Sequence, residues 1–325
     1  MEIISEESTR QTPEKITIKF LGQGSRYFGI AILNAILTII TLGLYYPWAK
    51  ANIRKFLWNE TEVKDSRMVF HGTGKEMFRG FIIAYLILGS LYLGMVLTQS
   101  DPEYALYFAL GFYLGLILIM PLAIFGAWRY RITRTSWRGI FMGFDGVFKK
   151  FLKLYFKHLF FTIISFGIYA PWFRVEIITF LFNHTLIGKN RLGFKGQGSD
   201  LFGINLLGGI LSVITLYLYV PVYLKDRINF TLNNTFIDNG DTKRLVKSHL
   251  TGKQAWVIMV TNVLLVIVTL GIGFAWASMR YMRMILENID LPDNLDLDNL
   301  EQSEKGRIDA TGDELVDIMD VGIDF

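Results

Sequence analysis

Residues 37–50 read Leu-Thr-Ile-Ile-Thr-Leu-Gly-Leu-Tyr-Tyr-Pro-Trp-Ala-Lys, and versions of this phrase recur along the chain. Each version has a Thr-Leu-Gly-like step, then Pro-Trp or a remnant of it, then in most copies a cation. The other copies lie at 165–174, 215–221 and 269–280. Every copy accompanies an apolar run long enough to cross a bilayer, so the sequence predicts a repeated, membrane-spanning unit.

The composition of the chain agrees with a membrane protein. Of the 325 residues 52% are hydrophobic and only 19% are charged, whereas a soluble protein has about a quarter charged residues. The chain contains no cysteine, and its four histidines show no metal-ligand spacing. We therefore expect no disulfide, no metal site, no cofactor and no nucleic-acid partner.

Six apolar runs are candidate membrane spans when about 20 residues are required for a crossing. They are residues 28–48, 80–98, 105–127, 158–173, 201–223 and 255–277. The sequence thus predicts an all-α, polytopic membrane protein of about six transmembrane helices built from degenerate repeats. Short strand-like, glycine-rich approaches are expected between the helices. The fourth run is short, and it either crosses fully or re-enters on the same side.

Three regions follow from this pattern. A polar segment covers residues 1–27, the transmembrane domain covers 28–285, and an acidic, disordered tail covers 286–325. Within the tail, a short helix at 313–320 is the alternative to disorder. Loops after odd-numbered spans hold 21 of the 33 Lys and Arg residues, which predicts that those loops are cytoplasmic and both termini lie outside.

The approach to two of the spans is nearly identical: Phe20-Leu-Gly-Gln-Gly-Ser and Phe194-Lys-Gly-Gln-Gly-Ser. A phosphate-binding turn also uses closely spaced glycines, but its third glycine and acidic partner are not evident here. The favoured interpretation is a flexible bend between a short strand and a helix.

Aromatic and cationic residues follow each apolar run, and we predict that they anchor the helices at the membrane–water interface. The prolines beside them are predicted to end the helices. The cations either contact anionic lipid head groups or act only as a topology signal. The predicted anchors are Trp48, Lys50, Trp128, Arg129, Trp172, Arg174, Trp276 and Arg280; the predicted helix-ending prolines are Pro47, Pro171 and Pro221.

Mild polar residues occupy matching positions inside the apolar runs. They either pack helices together or line a path for a substrate. No Asp, Glu, Lys or Arg lies in the apolar core of a candidate span, which argues against a proton-driven antiporter. The candidate lining residues are Asn34, Thr41, Ser165, Thr215, Asn262 and Thr269.

The glycine-rich approach, the phrase at 37–50 and the Asn59-Glu-Thr that follows resemble the YjgN family of bacterial inner-membrane proteins. The resemblance extends over roughly residues 16–288 and weakens in the last copy, where Ala275 replaces proline. It implies a multi-pass protein of the bacterial inner membrane. It implies no reaction, because the family is catalogued as a domain of unknown function.

The leading hypothesis is a transporter or channel that handles small solutes or lipids. The alternative is a non-transporting membrane scaffold or partner-binding subunit. A membrane enzyme is disfavoured, because no catalytic residues can be named in the apolar runs. Expected partners are the lipid bilayer, anionic lipid head groups, and either a second copy of the chain or another protein bound through the acidic tail.

Overall fold

The computed structural model describes residues 16–240, 242–292, 301–303 and 306. Within them, the succession strand, helix, helix, strand occurs five times. The first unit is β1 (Ile16–Phe20), α1 (Gly24–Ile40), α2 (Tyr46–Asn59) and β2 (Thr61–Val63); the second is β3 (Ser66–Phe70), α3 (Gly74–Leu97), α4 (Pro102–Thr133) and β4 (Thr135–Trp137). The third is β5 (Ile140–Phe144), α5 (Phe148–Ile164), α6 (Ala170–Asn183) and β6 (Thr185–Ile187); the fourth is β7 (Asn190–Phe194), α7 (Gly198–Ile214), α8 (Val220–Asn233) and β8 (Thr235–Asp238). The fifth is β9 (Lys243–Leu245), β10 (Lys247–Ser248), α9 (Gly252–Val268), α10 (Phe274–Leu286) and β11 (Ile289–Leu291).

The strands form one antiparallel sheet that is nearly closed into a barrel. Its order is β10-β11-β1-β2-β3-β4-β5-β6-β7-β8-β9, and only Val246 separates β9 from β10 in the chain. Ile16 on β1, Trp137 on β4 and Ile237 on β8 belong to one buried apolar cluster. Strands far apart in the sheet order therefore face a common centre, which apolar side chains fill.

Two backbone features recur where a unit returns to the sheet. The amide that follows the unit's first strand donates to the carbonyl that precedes its last strand, as from Leu21 to Glu60 at 2.8 Å and from His71 to Arg134 at 2.8 Å. The threonine that opens β2, β4, β6 and β8 also donates its hydroxyl to the carbonyl four residues earlier, as from Thr61 to Leu57. This threonine is the last residue of Asn59-Glu-Thr and of its counterparts at 183–185 and 233–235. It caps the helix and begins the strand.

The helices form a closed ring beside the sheet. Each helix packs against the one before and the one after it, and α10 packs against α1. In four units the two helices are joined by a five-residue reversal, such as residues 41–45 between α1 and α2. Leu42 and Gly43 there have φ angles of 50° and 92°, and Gly43 donates its amide to Thr38 at 2.7 Å. This left-handed ending turns the chain back antiparallel to itself.

The all-α fold with about six crossings is therefore wrong. Four predicted spans, 28–48, 158–173, 201–223 and 255–277, contain a reversal and are helical hairpins rather than single crossings. Only α3 and α4, with 24 and 32 residues, are long and apolar enough to cross a membrane among the described residues. The strands also make up a larger part of the architecture than the predicted glycine-rich approaches.

The predicted orientation fails for the same reason. Loops assigned to opposite sides of the membrane contribute strands to the same sheet, including β2 and β3 after the first run and β6 and β7 after the fourth. They must therefore lie on one side. The re-entrant alternative for residues 158–173 agrees with the reversal between α5 and α6. The predicted helix at 313–320 and residues 1–15 lie outside the described part of the chain.

Candidate functional site on the second helices of the ring

The predicted lining hydroxyls belong to the reversals of the four short hairpins. Thr41 accepts a hydrogen bond from the Tyr45 amide at 2.9 Å and donates to the Leu37 carbonyl at 2.7 Å. Ser165, Thr215 and Thr269 accept the equivalent amide bond in their own reversals. Each hydroxyl is thus used within its own hairpin and holds the turn.

The two predicted asparagines join the helices of a hairpin. Asn34 on α1 donates to the Ala49 carbonyl of α2 at 3.4 Å, and Asn262 on α9 donates to the Ala277 carbonyl of α10 at 3.0 Å. Both side chains are buried. The corresponding position is His158 in the third unit and Gly208 in the fourth, where the Tyr223 ring takes up the space of a side chain. These residues pack the hairpins.

Three predicted tryptophan anchors have a packing role between units. A Cβ atom on Gly74 would lie 2.5 Å from the Trp48 Cα, and one on Gly198 would lie 2.7 Å from the Trp172 Cα. Trp276 stands in the same relation to Gly24, which closes the ring. The second glycine of these three approaches therefore leaves room for a tryptophan of the preceding unit, a contact that the sequence does not reveal.

The prolines begin helices and do not end them. Pro47, Pro171 and Pro221 lie in the first turn of α2, α6 and α8, where a missing amide hydrogen costs nothing. Each lies 14 residues before the threonine that opens the next strand. Pro121 has the same spacing from Thr135, so it is the counterpart in the second unit. Trp128, predicted as an anchor, therefore does not occupy the tryptophan position of the phrase, and it donates to the Thr185 hydroxyl.

The two helices of a short hairpin differ in the side chains they expose. On α1, α5, α7 and α9 the exposed large side chains toward the reversal are aliphatic or aromatic, for example Leu33, Phe160 and Leu206. On α6 and α8 no large hydrophobic side chain is exposed. Charges lie along the second helices instead, and cations outnumber acids. They are Lys50, Arg54, Lys55, Arg129, Arg131, Arg174, Lys225, Arg227, Arg280 and Arg283, against Glu103, Glu176 and Asp226.

Several of these cations rest on aromatic rings. The Arg54 guanidinium lies 5.9 Å from the ring centre of Tyr130 on α4, which places it beside Arg131, whose own guanidinium lies 4.7 Å from the Trp128 ring. Arg227 lies 5.6 Å from the Tyr223 ring. The cations Arg54, Arg131 and Arg227 were not predicted as site residues because they fell in predicted loops, and Tyr223 was not because it ended a predicted span. Their helical spacing after each proline was the available signal.

The predicted anchoring cations differ among themselves. Lys50 and Arg174 are exposed, Arg129 is buried, and Arg280 donates to the Thr261 hydroxyl of α9 at 2.8 Å. Among the described residues, no three His, Asp or Glu side chains are grouped as metal ligands would be. The candidate site is therefore the set of cations on the second helices of the hairpins.

These features define a class of protein: a ring of helical hairpins, two of whose helices can cross a bilayer, built on an apolar-filled, nearly closed sheet. Within that class, the chain belongs to the family described as "Bacterial protein of unknown function (DUF898)", whose model matches residues 15–225 and again 209–318. The expected relationship to the YjgN family is confirmed.

The curated relatives are inner membrane proteins. Inner membrane protein YjgN of Salmonella typhimurium is 24% identical over 196 residues, which are 60% of this chain and 46% of the relative. Inner membrane protein YjgN of Escherichia coli K12 is 33% identical over 132 residues, or 41% of this chain and 32% of the relative. The matched stretches thus span about half or less of these relatives. No solved structure matches. The chain is a bacterial inner-membrane protein, as predicted.

Proposed function

We propose that the helical ring binds and moves a small anionic solute or an anionic lipid within the inner membrane, as a transporter or channel. The observation that carries this proposal is that aliphatic and cationic side chains lie at the same depth of a hairpin. The Asn34–Ala49 contact puts Lys50 at the same level of its hairpin as Leu33, which is 56% exposed. In the fourth unit, the contact of Gly208 with Tyr223 puts Lys225 at about the level of Leu206.

A charged side chain facing lipid costs about 2.5–3.5 kcal/mol or more. If the aliphatic faces of the first helices meet lipid, the cations of the second helices face a separate, polar space enclosed by the ring. A space with this excess of cations attracts anions. In this arrangement the apolar filling of the sheet would close one end of that space, and the ligand would enter from the membrane side.

We propose that α3 and α4 form the membrane-crossing pair and that the four short hairpins end inside the bilayer. A 17-residue helix such as α1 is about 25 Å long. Its first turn carries Arg26, a charge that belongs at the membrane–water interface, so the rest of the helix is too short to cross. No Lys or Arg occurs between residues 80 and 128. The excess of cations beside the sheet therefore favours a cytoplasmic sheet. We also propose that the five units descend from one repeated unit.

A non-transporting scaffold is the second candidate. Its support is that the polar residues inside the hairpins, above all Asn34 and Asn262, are buried and bonded to backbone carbonyls. Its partner would bind through the acidic tail, of which Gln302 already contacts the backbone of Phe141 on β5. We propose no catalytic reaction for either candidate.

Flux measurements separate the two candidates. Purified protein is reconstituted in proteoliposomes, and the uptake of anions, cations and labelled lipids is compared with that of protein-free vesicles. We expect flux of anions or anionic lipids that falls in Lys50→Gln and stays unchanged in Arg67→Gln, which removes an exposed cation from β3. Native-like protein that moves none of these classes would refute transport and leave the scaffold.

A further inference from the structure

Tyr223 is fixed in position between α7 and α8. Its hydroxyl donates to the Asn205 Oδ1 atom at 3.0 Å. Its ring lies over Gly208, where an added Cβ would approach the Tyr223 Cδ2 atom to 2.0 Å. The phenol is therefore held against α7, with its oxygen beside the Arg227 guanidinium.

Arg227 is held by this tyrosine but is left incompletely bonded. Its Nη1 atom donates to the Tyr223 hydroxyl at 3.5 Å, and its guanidinium stacks over the same ring. Its Nε atom is buried and has no hydrogen-bond partner. A buried donor of a charged group without a partner lowers the stability of the folded protein. We therefore expect this N–H to bind an acceptor when the ligand is present.

Arg174 on α6 adds a second positive charge. It lies close enough to Arg227 and Tyr223 for their electrostatic influence to reach it. Among the ion pairs of the described residues, none involves either arginine, and Asp226, next to Arg227, pairs with Lys225. Two guanidinium groups on consecutive second helices repel each other, and an anion between them would relieve this repulsion.

The geometry points to an oxyanion site formed by Arg174, Tyr223 and Arg227, which binds a phosphate group. This site rests on the proposed function, because it names the ligand of the charged second helices. Planar guanidinium groups bind phosphate oxygens in pairs, and the Nε atom of Arg227 supplies one such donor. The phosphate belongs either to an anionic phospholipid head group or to a free phosphate ion, which share this chemistry.

Titration calorimetry on the full-length protein in neutral detergent tests the site with two probes. These are inorganic phosphate and short-chain phosphatidylglycerol. We expect at least one probe to bind, and Arg174→Gln to weaken its binding about tenfold or more, the usual effect of losing a charge-assisted hydrogen bond. Arg67→Gln removes the same charge at an exposed position of the sheet and is expected to bind as the wild type does.

Arg227→Lys tests the unpartnered donor, because lysine keeps the charge but lacks the Nε–H. We expect this variant to bind more weakly than the wild type. If it unfolds at a lower temperature, the test depends on Arg174→Gln alone, whose side chain is exposed and does not hold the fold. Binding of phosphatidylglycerol only identifies a head group as the ligand, and binding of phosphate identifies the free ion; both results support the site.

Two results would overturn the site: no binding of either probe, or equal binding by the wild type and Arg174→Gln. The outcome is independent of transport. Binding that depends on Arg174 without flux refutes transport and keeps the site. Flux with unchanged binding in Arg174→Gln refutes the site and keeps transport.

Discussion

The long hairpin α3–α4 and the four short hairpins are compared at two places: the base, where the helices join the sheet, and the tip, where the chain reverses. They are alike at the base and differ at the tip. At the base, Gly74 of the long hairpin and Gly198 of a short one both lie against a tryptophan of the preceding unit. At the tip, the long hairpin turns through Thr98-Gln-Ser-Asp, and Asp101 caps α4. The short hairpins turn through apolar residues, of which Phe166 is 97% and Leu270 93% exposed.

The difference supports the depth that we propose for each tip. A polar, acidic tip with no Lys or Arg suits water on the far side of the membrane, whereas a fully exposed phenylalanine or leucine suits lipid. In the proposed topology, one architecture produces two depths of insertion by changing the helix length and the turn. The base contact between glycine and tryptophan is shared by the first, second and fourth units.

Cysteine labelling gives the largest expected contrast between the tips, because the native chain has no cysteine. In intact cells, a membrane-impermeant maleimide should label Ser100→Cys at the long tip. Leu270→Cys at a short tip should stay unlabelled in intact cells and in inverted vesicles alike, since the thiol lies in lipid. Asp65→Cys, in the turn between β2 and β3, should be labelled only in inverted vesicles. Labelling of Leu270→Cys from intact cells would mean that the short hairpins also cross.

Sequence analysis could identify the membrane location and the copies of the phrase but not the path of the chain. The run from 28 to 48 reads as one apolar helix because hydropathy does not record direction. The reversal depends on Leu42 adopting a positive φ, which no sequence preference for leucine indicates. The strands are also too short to stand out, and the closure of the sheet joins Ile16 to Leu291, far apart in sequence.

The candidate site was hidden for a related reason. Once residues 158–173 and 201–223 are taken as crossings, Arg174 and Arg227 become loop cations on opposite sides of the membrane. Only the reversal brings α6 and α8 into the same ring. In contrast, Asn34 and Asn262 can be aligned from the sequence, because their spacing from the following phrase is the same in both copies, and each donates to the carbonyl 15 residues later.

Glycine-to-alanine substitutions compare the packing at the base of a hairpin with the packing in its middle. Gly74→Ala and Gly198→Ala should each lower the free energy of unfolding by about 1–3 kcal/mol, because the new Cβ overlaps the backbone of a tryptophan residue. Gly89→Ala, in the middle of the long hairpin, has no atom within 4 Å of its Cβ and should not destabilise the protein. Denaturant unfolding in detergent measures all three. Equal effects in all three variants would show that the base contacts are not tight.

Substitutions in the reversal of the fourth unit are expected to change the free energy of unfolding by a smaller amount. Tyr217 has a φ angle of 67°, where the other short hairpins have Gly43, Gly167 and Gly271. A non-glycine residue in this conformation costs roughly 1–2 kcal/mol. We expect Tyr217→Gly to raise the free energy of unfolding by about 1 kcal/mol and Gly167→Ala to lower it by a similar amount. A loss of stability in Tyr217→Gly would indicate that the tyrosine ring contributes more by contacting lipid than its backbone costs.

The smallest effect concerns His71, at the base of the long hairpin. Its Nε2 atom lies 2.7 Å from the Ser136 hydroxyl and its ring packs on Phe141. Burial, then the positive charges of Arg134 and Lys55, lower the pKa of His71 below its ordinary value of 6.5. The unfolded chain therefore takes up a proton as the pH falls through 6.5 while the folded chain does not, so stability is full above that pH and decreases below it. Unfolding measured between pH 8 and pH 5 should show a steeper loss for the wild type than for His71→Gln, which keeps a hydrogen bond to Ser136 without titrating. Parallel pH profiles would mean that the imidazole is protonated equally in both states, and that the base of the long hairpin is as open to water as its tip.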